Sequence, residues 1–379
     1  MKLTTDWLQS PDTIAVMKAL QTKNNQVFFV GGCVRNGLLG VPTTDIDIST
    51  DSRPEQIIAL ARTAGLKSIP TGIDHGTVTI VVNSNVFEVT CFRKDIETDG
   101  RHAIVVFADN IYDDAKRRDF TMNAIYALAD GTIVDPLNGM TDLKNRHVRF
   151  IENATKRIAE DYLRILRFFR FTAQYGDPAL GIDADGLAAC AAGVDGINLL
   201  PKERIGNEMR KILGSKNPSL VLAAMDLSGI LAKVLTGANA KYIAILVHLE
   251  QADQINWLTR LIVLGGSNQS AALRLTNAEA RELRHTLKAI ELGHKPNATA
   301  FEFGKNIAVS TSLALAALTE SAPPINLEAQ ITQGTTAIFP ITAKDLDGLH
   351  GKQLGDTLRK LQKLWVASDF TLKKQDLLL

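Results

Sequence analysis

The sequence has little cysteine: three residues in 379, Cys33, Cys91 and Cys190, widely separated and without a CxxC spacing. That excludes a disulfide framework, argues against a thiolate zinc site, and leads to the expectation of a reducing cytoplasm. No charge sign dominates either: 42 Lys and Arg stand against 41 Asp and Glu, a net charge of +1. A uniformly basic nucleic-acid coat is thereby excluded, although a local basic patch is not. Long apolar runs are also missing. The N-terminal MKLTTDWLQSPD has no apolar signal core, and Tyr242 to Leu249 and Leu261 to Leu264 fall far short of the ~20 residues of a membrane span, so a soluble chain without membrane partners is expected. The seven histidines form no HD dipeptide and no HxxxH pair, which argues against an appended metal phosphohydrolase site.

What is present is ordinary for a globular chain, 45% apolar and 22% charged residues, with length for two or three domains of roughly 100–200 residues. The runs VFFVGG (27–32), TDIDIST (44–50), GTVTIVV (76–82), VFEVTCF (86–92), HAIVVF (102–107) and GTIVD (131–135) predict strands. SRPEQIIALARTAG (52–65) predicts a helix opened by Ser52 and Pro54 and closed by Gly65. From about residue 141 the texture becomes helical throughout.

Asp45 and Asp47 are the most informative pair. Residues two apart in a strand face one side, so both carboxylates project together while Ile46 and Ile48 face the core. Like charges side by side are costly without a cation, and hard oxygen donors suit Mg²⁺; a solvent-facing acidic strand edge is the plainer alternative. Glu88, also between apolar residues of a predicted strand, is a candidate third acid. Upstream, FFVGGCVRNGLLG runs from a strand through Gly31 and Gly32 into a short helix, so backbone could approach an anion there, with Arg35 offering a fork to phosphate. A tight turn with an exposed arginine fits the same residues.

RRDFTMNAIY (117–126) is read as a helix start that sets Phe120 and Ala124 on one face and Asp119 with Asn123 on another, suited to one residue pair contacting a ribose and a third residue contacting phosphate; a charged helix N-terminus is the alternative. EDYLRILRFFRF (160–171) is read as one helix. Asp161, Arg164, Arg167 and Arg170 form a winding polar stripe beside an apolar face, with Phe168 and Phe171 inside the stripe. A solvated stripe with an i,i+3 ion pair is the bland reading. The chemical reading is base recognition. Cytosine and adenine each present an amino donor beside a ring-nitrogen acceptor, matching a carboxylate beside a guanidinium, whereas uracil and guanine reverse the pattern.

In this order, GGCVR (31–35), Asp45-Ile46-Asp47, RRDFTMNAIY, DPLNGMTDL (135–143) and EDYLRILRFFRF resemble the class II tRNA nucleotidyltransferases, the bacterial CCA-adding enzymes, and their poly(A) polymerase relatives, strongly over about 27–215. The resemblance implies an α+β chain: a DNA polymerase β-like nucleotidyltransferase head with a mixed sheet at 1–140, then an all-helical neck at 141–215, body at 216–300 and tail at 301–379. It implies Asp45 and Asp47 as Mg²⁺ ligands with Glu88 as a third catalytic carboxylate. Gly31, Gly32, Arg35, Arg118, Asp119, Asn123, Asp161, Arg164, Arg167 and Arg170 would bind nucleotide, Asp161 and Arg164 reading the base. Asn36 departs from the family, which usually has Asp there, and His350-Gly351-Lys352 departs from its Gly/Pro-rich turn.

LLPKERIGNEMRKIL (199–213) resembles a supporting motif, making Glu203, Arg204 and Glu208 structural. CFRKDIETDGRHAIVVF (91–107) sits where the family has a mobile loop for switching from C to A addition, and Lys94, Asp95, Glu97, Asp99, Gly100 and Arg101 look loop-like. The implied activity is template-independent addition of CCA to tRNA from CTP and ATP, with contacts to the acceptor end and elbow and no obligate protein partner. An A-adding enzyme, a poly(A) polymerase and a non-catalytic RNA-binding protein are the alternatives. Residues 143–176 carry eight basic against three acidic residues, and 350–379 carry six against three, suiting phosphate contact or solvated helix faces alike.

Overall fold

In the computed structural model, which describes residues 1–99, 102–251 and 255–379, with side chains for all of these but 95–105, the β-branched runs of the first half become strands. These are β1 (Val27–Val30), β2 (Ile46–Thr50), β3 (Lys67–Gly72), β4 (Thr77–Val82), β5 (Asn85–Cys91), β6 (Arg93–Asp99), β7 (His102–Phe107), β8 (Tyr126–Ala127) and β9 (Ile133–Val134). Seven form one sheet in the order β3-β4-β5-β2-β1-β8-β9. Only β2 and β5 run parallel among its pairs, which makes it mixed. Alternation sends Phe29, Ile48, Ile80, Phe87 and Val89 into the core.

The helices of this half are α1 (Pro11–Leu20), α2 (Gly32–Leu39), α3 (Pro54–Thr63), α4 (Ile111–Lys116), α5 (Gly139–Lys144), α6 (Ala154–Glu160), α7 (Leu163–Tyr175) and α8 (Ala184–Ala192). α7 buries Leu163, Ile165, Leu166, Phe168 and Phe169. Its aromatics meet the sheet region: Phe171 lies 5.0 Å from Phe120 between ring centres, and Phe168 5.3 Å from Phe150. Phe120 and Phe150 are themselves 5.0 Å apart and joined by an isolated β-bridge. These residues belong to a compact unit spanning Met1–Pro201.

The second unit, Lys202–Leu379, begins with α9 (Lys202–Leu213) and is helical through its described residues. Gly206 in α9 passes so near a neighbouring turn that a Cβ there would meet the Leu273 carbonyl oxygen at 2.0 Å. Arg260 is fully buried, paired with Glu250 at 2.7 Å and donating to the Leu213 and Ser215 carbonyls, so its charge is satisfied by fixed partners rather than by solvent. Glu208 of α9 is buried, while Glu203 and Arg204 lie nearer its start. Among the described residues no helix is long and apolar enough to cross a membrane.

Three local expectations are corrected. Residues 117–126 do not continue a helix: α4 ends at Lys116, and only Thr121–Asn123 turn, as a 3₁₀ segment. The reason is competition, since Thr121 N–H donates to the Arg149 carbonyl and Ile151 N–H to that of Asp119, drawing the chain into a bridge. Residues 160–171 are not one helix, because α6 ends at Glu160 and Asp161 is extended, with φ −153°. Its carboxylate accepts the Leu163 N–H at 3.0 Å, the local side-chain capture that favours helix ends for Asp. Finally, 93–99 is a strand, not a loop: its backbone pairs antiparallel with 102–107, satisfying the facing edge of each strand, while Gly100 and Arg101 lie outside the described residues.

Candidate active site

The parallel pairing of β2 with β5 places Asp47 directly beside Glu88 in register. Asp45 precedes β2 on the same alternation, and it and Glu88 are exposed while Asp47 is half-buried. Burial, followed by the charges of Glu88 and Asp45 and countered by Arg118 and Arg35, pushes the Asp47 carboxyl up to about 6. Among the described residues no three His, Cys, Asp or Glu side chains are already gathered as a metal-binding group. The three acids instead form a ledge of hard oxygen donors whose mutual repulsion a divalent cation relieves, so the residues fit such an ion. Cys33 lies beneath, its Sγ 3.7 Å from the Asp47 carbonyl oxygen, and burial raises the thiol to about 11, keeping it protonated.

Gly31 holds φ +70° at the turn into α2, a left-handed conformation suited to glycine, and a Cβ there would reach 3.4 Å from Arg118 Nη1. Arg35, four residues on, is not the exposed arginine of a plain turn: it is 6% exposed. Its Nη2 donates to Asn36 Oδ1 and to the Tyr175 hydroxyl, both at 2.8 Å, and its Nη1 to Asn123 Oδ1. The guanidinium also lies 4.2 Å from the Tyr175 ring centre and 5.0 Å from that of Phe171. Its donors are thus directed to the protein, and burial lowers its pKa from the usual arginine range, an effect opposed by Tyr175 and Asp119.

Two buried carboxylates organise the remaining cations. Asp114 is fully buried and pairs with Arg117 at 2.7 Å and Arg118 at 3.0 Å, also accepting from the Tyr126 and Ser49 hydroxyls. Burial works against its charge, but the two arginines outweigh that and hold it well below the usual carboxylate range. Asp119 accepts from Arg167 Nε at 2.7 Å and Asn123 Nδ2 at 2.8 Å. Burial again opposes ionisation, yet Arg167 and Asn123 hold its pKa at about 2. The helix start expected at 117–126 is absent, but the Asp119–Asn123 pair it anticipated is present.

On α7 the arginines are held differently from the expected i,i+3 pair. Arg164 gives its guanidinium to Glu160, to the Arg157 carbonyl at 2.8 Å and to the Arg117 carbonyl at 3.0 Å. Glu160 also binds Arg157. Asp161 meets Arg164 through the backbone, its carbonyl accepting the Arg164 N–H at 2.9 Å. Arg170 lies 4.7 Å from the Phe171 ring centre. The sequence does not single out Asp114, Glu160, Tyr126 and Tyr175; the i,i+3 and i,i+4 spacings of Asp114 to Arg117 and Arg118, and of Glu160 to Arg157 and Arg164, are signals that point to the two acids.

A mixed sheet presenting paired strand carboxylates, a glycine turn beside it and an arginine-bearing helix in the same unit define a nucleotidyltransferase. Residues 27–149 match the family described as the poly A polymerase head domain, and 180–241 match that described as the probable RNA and SrmB-binding site of polymerase A. The chain belongs to the class II tRNA nucleotidyltransferases, the family of the CCA-adding enzymes, and is an enzyme of that family. It is 31% identical to the mitochondrial CCA tRNA nucleotidyltransferase 1 of Homo sapiens, over 94% of this chain and 86% of that protein. It is 33% identical to the CCA-adding enzyme of Geobacillus thermodenitrificans over 74% of this chain and 63% of that protein. The Bacillus stearothermophilus CCA-adding enzyme in complex with CTP superposes with a TM-score of 0.76 at 27% identity, covering 97% of this chain and 94% of that one. Membership in this nucleotidyltransferase family implies dependence on a divalent metal.

Proposed function

We propose that this enzyme extends the 3′ end of tRNA by C, C and A, taking CTP and then ATP and releasing pyrophosphate. The observation carrying this reading is that the Asp45–Asp47–Glu88 ledge and the arginine helix α7 share one compact unit, in which the Asp119–Arg167 ion pair ties α7 to the segment before β8. Asp45 and Asp47, with Glu88 as third acid, would hold Mg²⁺, which when bound lowers the pKa of the attacking ribose hydroxyl and neutralises charge on the departing phosphate. The chain's own residues then supply positioning and charge complementarity. Gly31 sets the turn, Gly32 would let backbone approach the triphosphate, and Arg118, fixed by Asp114, would face it. Arg35 shapes this pocket from within. Asp119 and Asn123 serve the ribose side.

Asp161 offers an acceptor and Arg164 donors to the incoming base, the pattern that accepts cytosine and adenine and opposes uracil and guanine. The N–H groups of Arg164 not given to Glu160, Arg117 and Arg157 remain for that contact. Arg167 and Arg170 line the same site. We assign catalysis to 1–140, base recognition to 141–215, and tRNA contact to the body at 216–300 and the tail at 301–379. Three buried free thiols, Cys33, Cys91 and Cys190, suit the reducing cytoplasm we assign to it.

The catalytic assignment is tested with Asp45→Ala. Nucleotide incorporation into a tRNA transcript ending in CC should be lost while tRNA still shifts in a native gel; normal turnover by Asp45→Ala would overturn it.

A further inference from the structure

Along α7, Arg167, Phe171 and Tyr175 recur every four residues, so they form one stripe. Arg167 holds Asp119, Phe171 packs on Phe120, and Tyr175 holds Arg35. The contacts close into a relay: Tyr175 hydroxyl to Arg35, Arg35 to Asn123, Asn123 to Asp119, Asp119 to Arg167. One end of it is the last residue of α7, and the other is an arginine one turn from Arg164. Its middle is the helix that follows the glycine turn. Arg35 is 6% exposed, and the side chains that accept its hydrogen bonds, Asn36, Asn123 and Tyr175, are all neutral. A buried guanidinium held this way is placed by geometry rather than by a single ion pair, so loss of one partner lets it move.

We infer that Tyr175 is a positioning residue for nucleotide selection, setting through Arg35, Asn123 and Asp119 where α7 presents its base-reading residues relative to the glycine turn. The inference rests on the function proposed for α7. Tyr175 touches no substrate in this role; it fixes the distance between the pocket that holds the triphosphate and the helix that reads the base. A cytosine and a uracil differ only in where donors and acceptors sit, so discrimination depends on that distance more steeply than binding does.

The test compares single-nucleotide incorporation by the wild type, Tyr175→Phe, Arg35→Lys and the double variant, with CTP, ATP, UTP and GTP each in turn. Tyr175→Phe keeps the ring on Arg35 and removes the hydroxyl. Its preference for CTP and ATP over UTP and GTP should fall about tenfold, the scale of a hydrogen bond to a charged group. The fall should appear in kcat for the correct nucleotides with KM little changed, and the thermal midpoint should stay near that of the wild type. Arg35→Lys should lose selectivity at least as much, and adding Tyr175→Phe to it should cost nothing further, because both act through one relay. Unchanged selectivity in Tyr175→Phe, a proportional loss with all four nucleotides, or additive effects in the double variant would each overturn the inference. A wild type that incorporates no nucleotide on any tRNA end would instead overturn the function on which it rests.

Discussion

Replacing Asp119 by Asn removes one charge from a site that is 7% exposed, and leaves Arg167 beside a neutral amide. The magnitude follows from the carboxyl's position. Its pKa of about 2 in the folded chain, against ~3.9 for an unfolded Asp, is a difference of about two units, or roughly 2.6 kcal/mol of stability at neutral pH. The sign is that of a depressed acid: the contribution is complete above the unfolded value and is lost as pH falls toward the folded one, about half of it gone by pH ~3. Severing a buried ion pair outright costs ~3–5 kcal/mol, and the partial exposure of Arg167, 32%, places this case at or below the lower end. Trp7 reports on the first unit, its ring 5.0 Å from the Phe29 ring centre in an edge-on contact. Urea unfolding followed by Trp7 fluorescence, with Trp257 and Trp365 replaced by Phe in both proteins, measures the difference. Asp119→Asn should be less stable by about 2–3 kcal/mol at pH 7, and the gap should narrow on acidification. A gap under about 0.5 kcal/mol, or one that does not change with pH, would refute the assignment of Asp119 as the charged anchor of α7.

Other outcomes follow from the same geometry. Asp161→Ala combined with Arg164→Ala should erode the preference for C and A over U and G in single-nucleotide incorporation, and unchanged selectivity would remove these residues from base reading. Deleting 95–101 should stall products at CC on sequencing gels, since the deletion removes most of β6 from the segment expected to switch C to A addition; full A addition would show that this segment is not the switch. Gly31→Ala places a side chain at φ +70° and 3.4 Å from Arg118, so it should destabilise the first unit by about 1 kcal/mol or more in the same Trp7 assay, and a neutral result would argue that the turn relaxes freely.

Features set by local periodicity were legible from the sequence. Alternation in TDIDIST placed Asp45 and Asp47 on one face, and the β-branched runs located most strands. Glu88 was reachable as a strand acid, but its place beside Asp47 depends on β2 and β5 pairing in parallel across an intervening helix and two strands, which no local pattern specifies. The helix break at Asp161 carries no Pro or Gly; it arises because the carboxylate captures the Leu163 N–H, an event between two conformations of similar local propensity. Long-range contacts account for the rest. Arg167 meets Asp119 across 48 residues and Arg35 meets Tyr175 across 140, so neither partner could be named from spacing. The burial of Arg35 likewise depends on Phe171 and Tyr175 arriving from α7.

Complete CCA addition by a single site can be measured by presenting three tRNA transcripts, ending at the discriminator base, at C and at CC, with CTP, ATP, UTP or GTP alone in Mg²⁺. An enzyme that builds the whole CCA end should add two C to the first end, one C to the second and one A to the third, with no extension by U or G. Extension confined to A on the CC end, or long A tracts on every RNA, would contradict it.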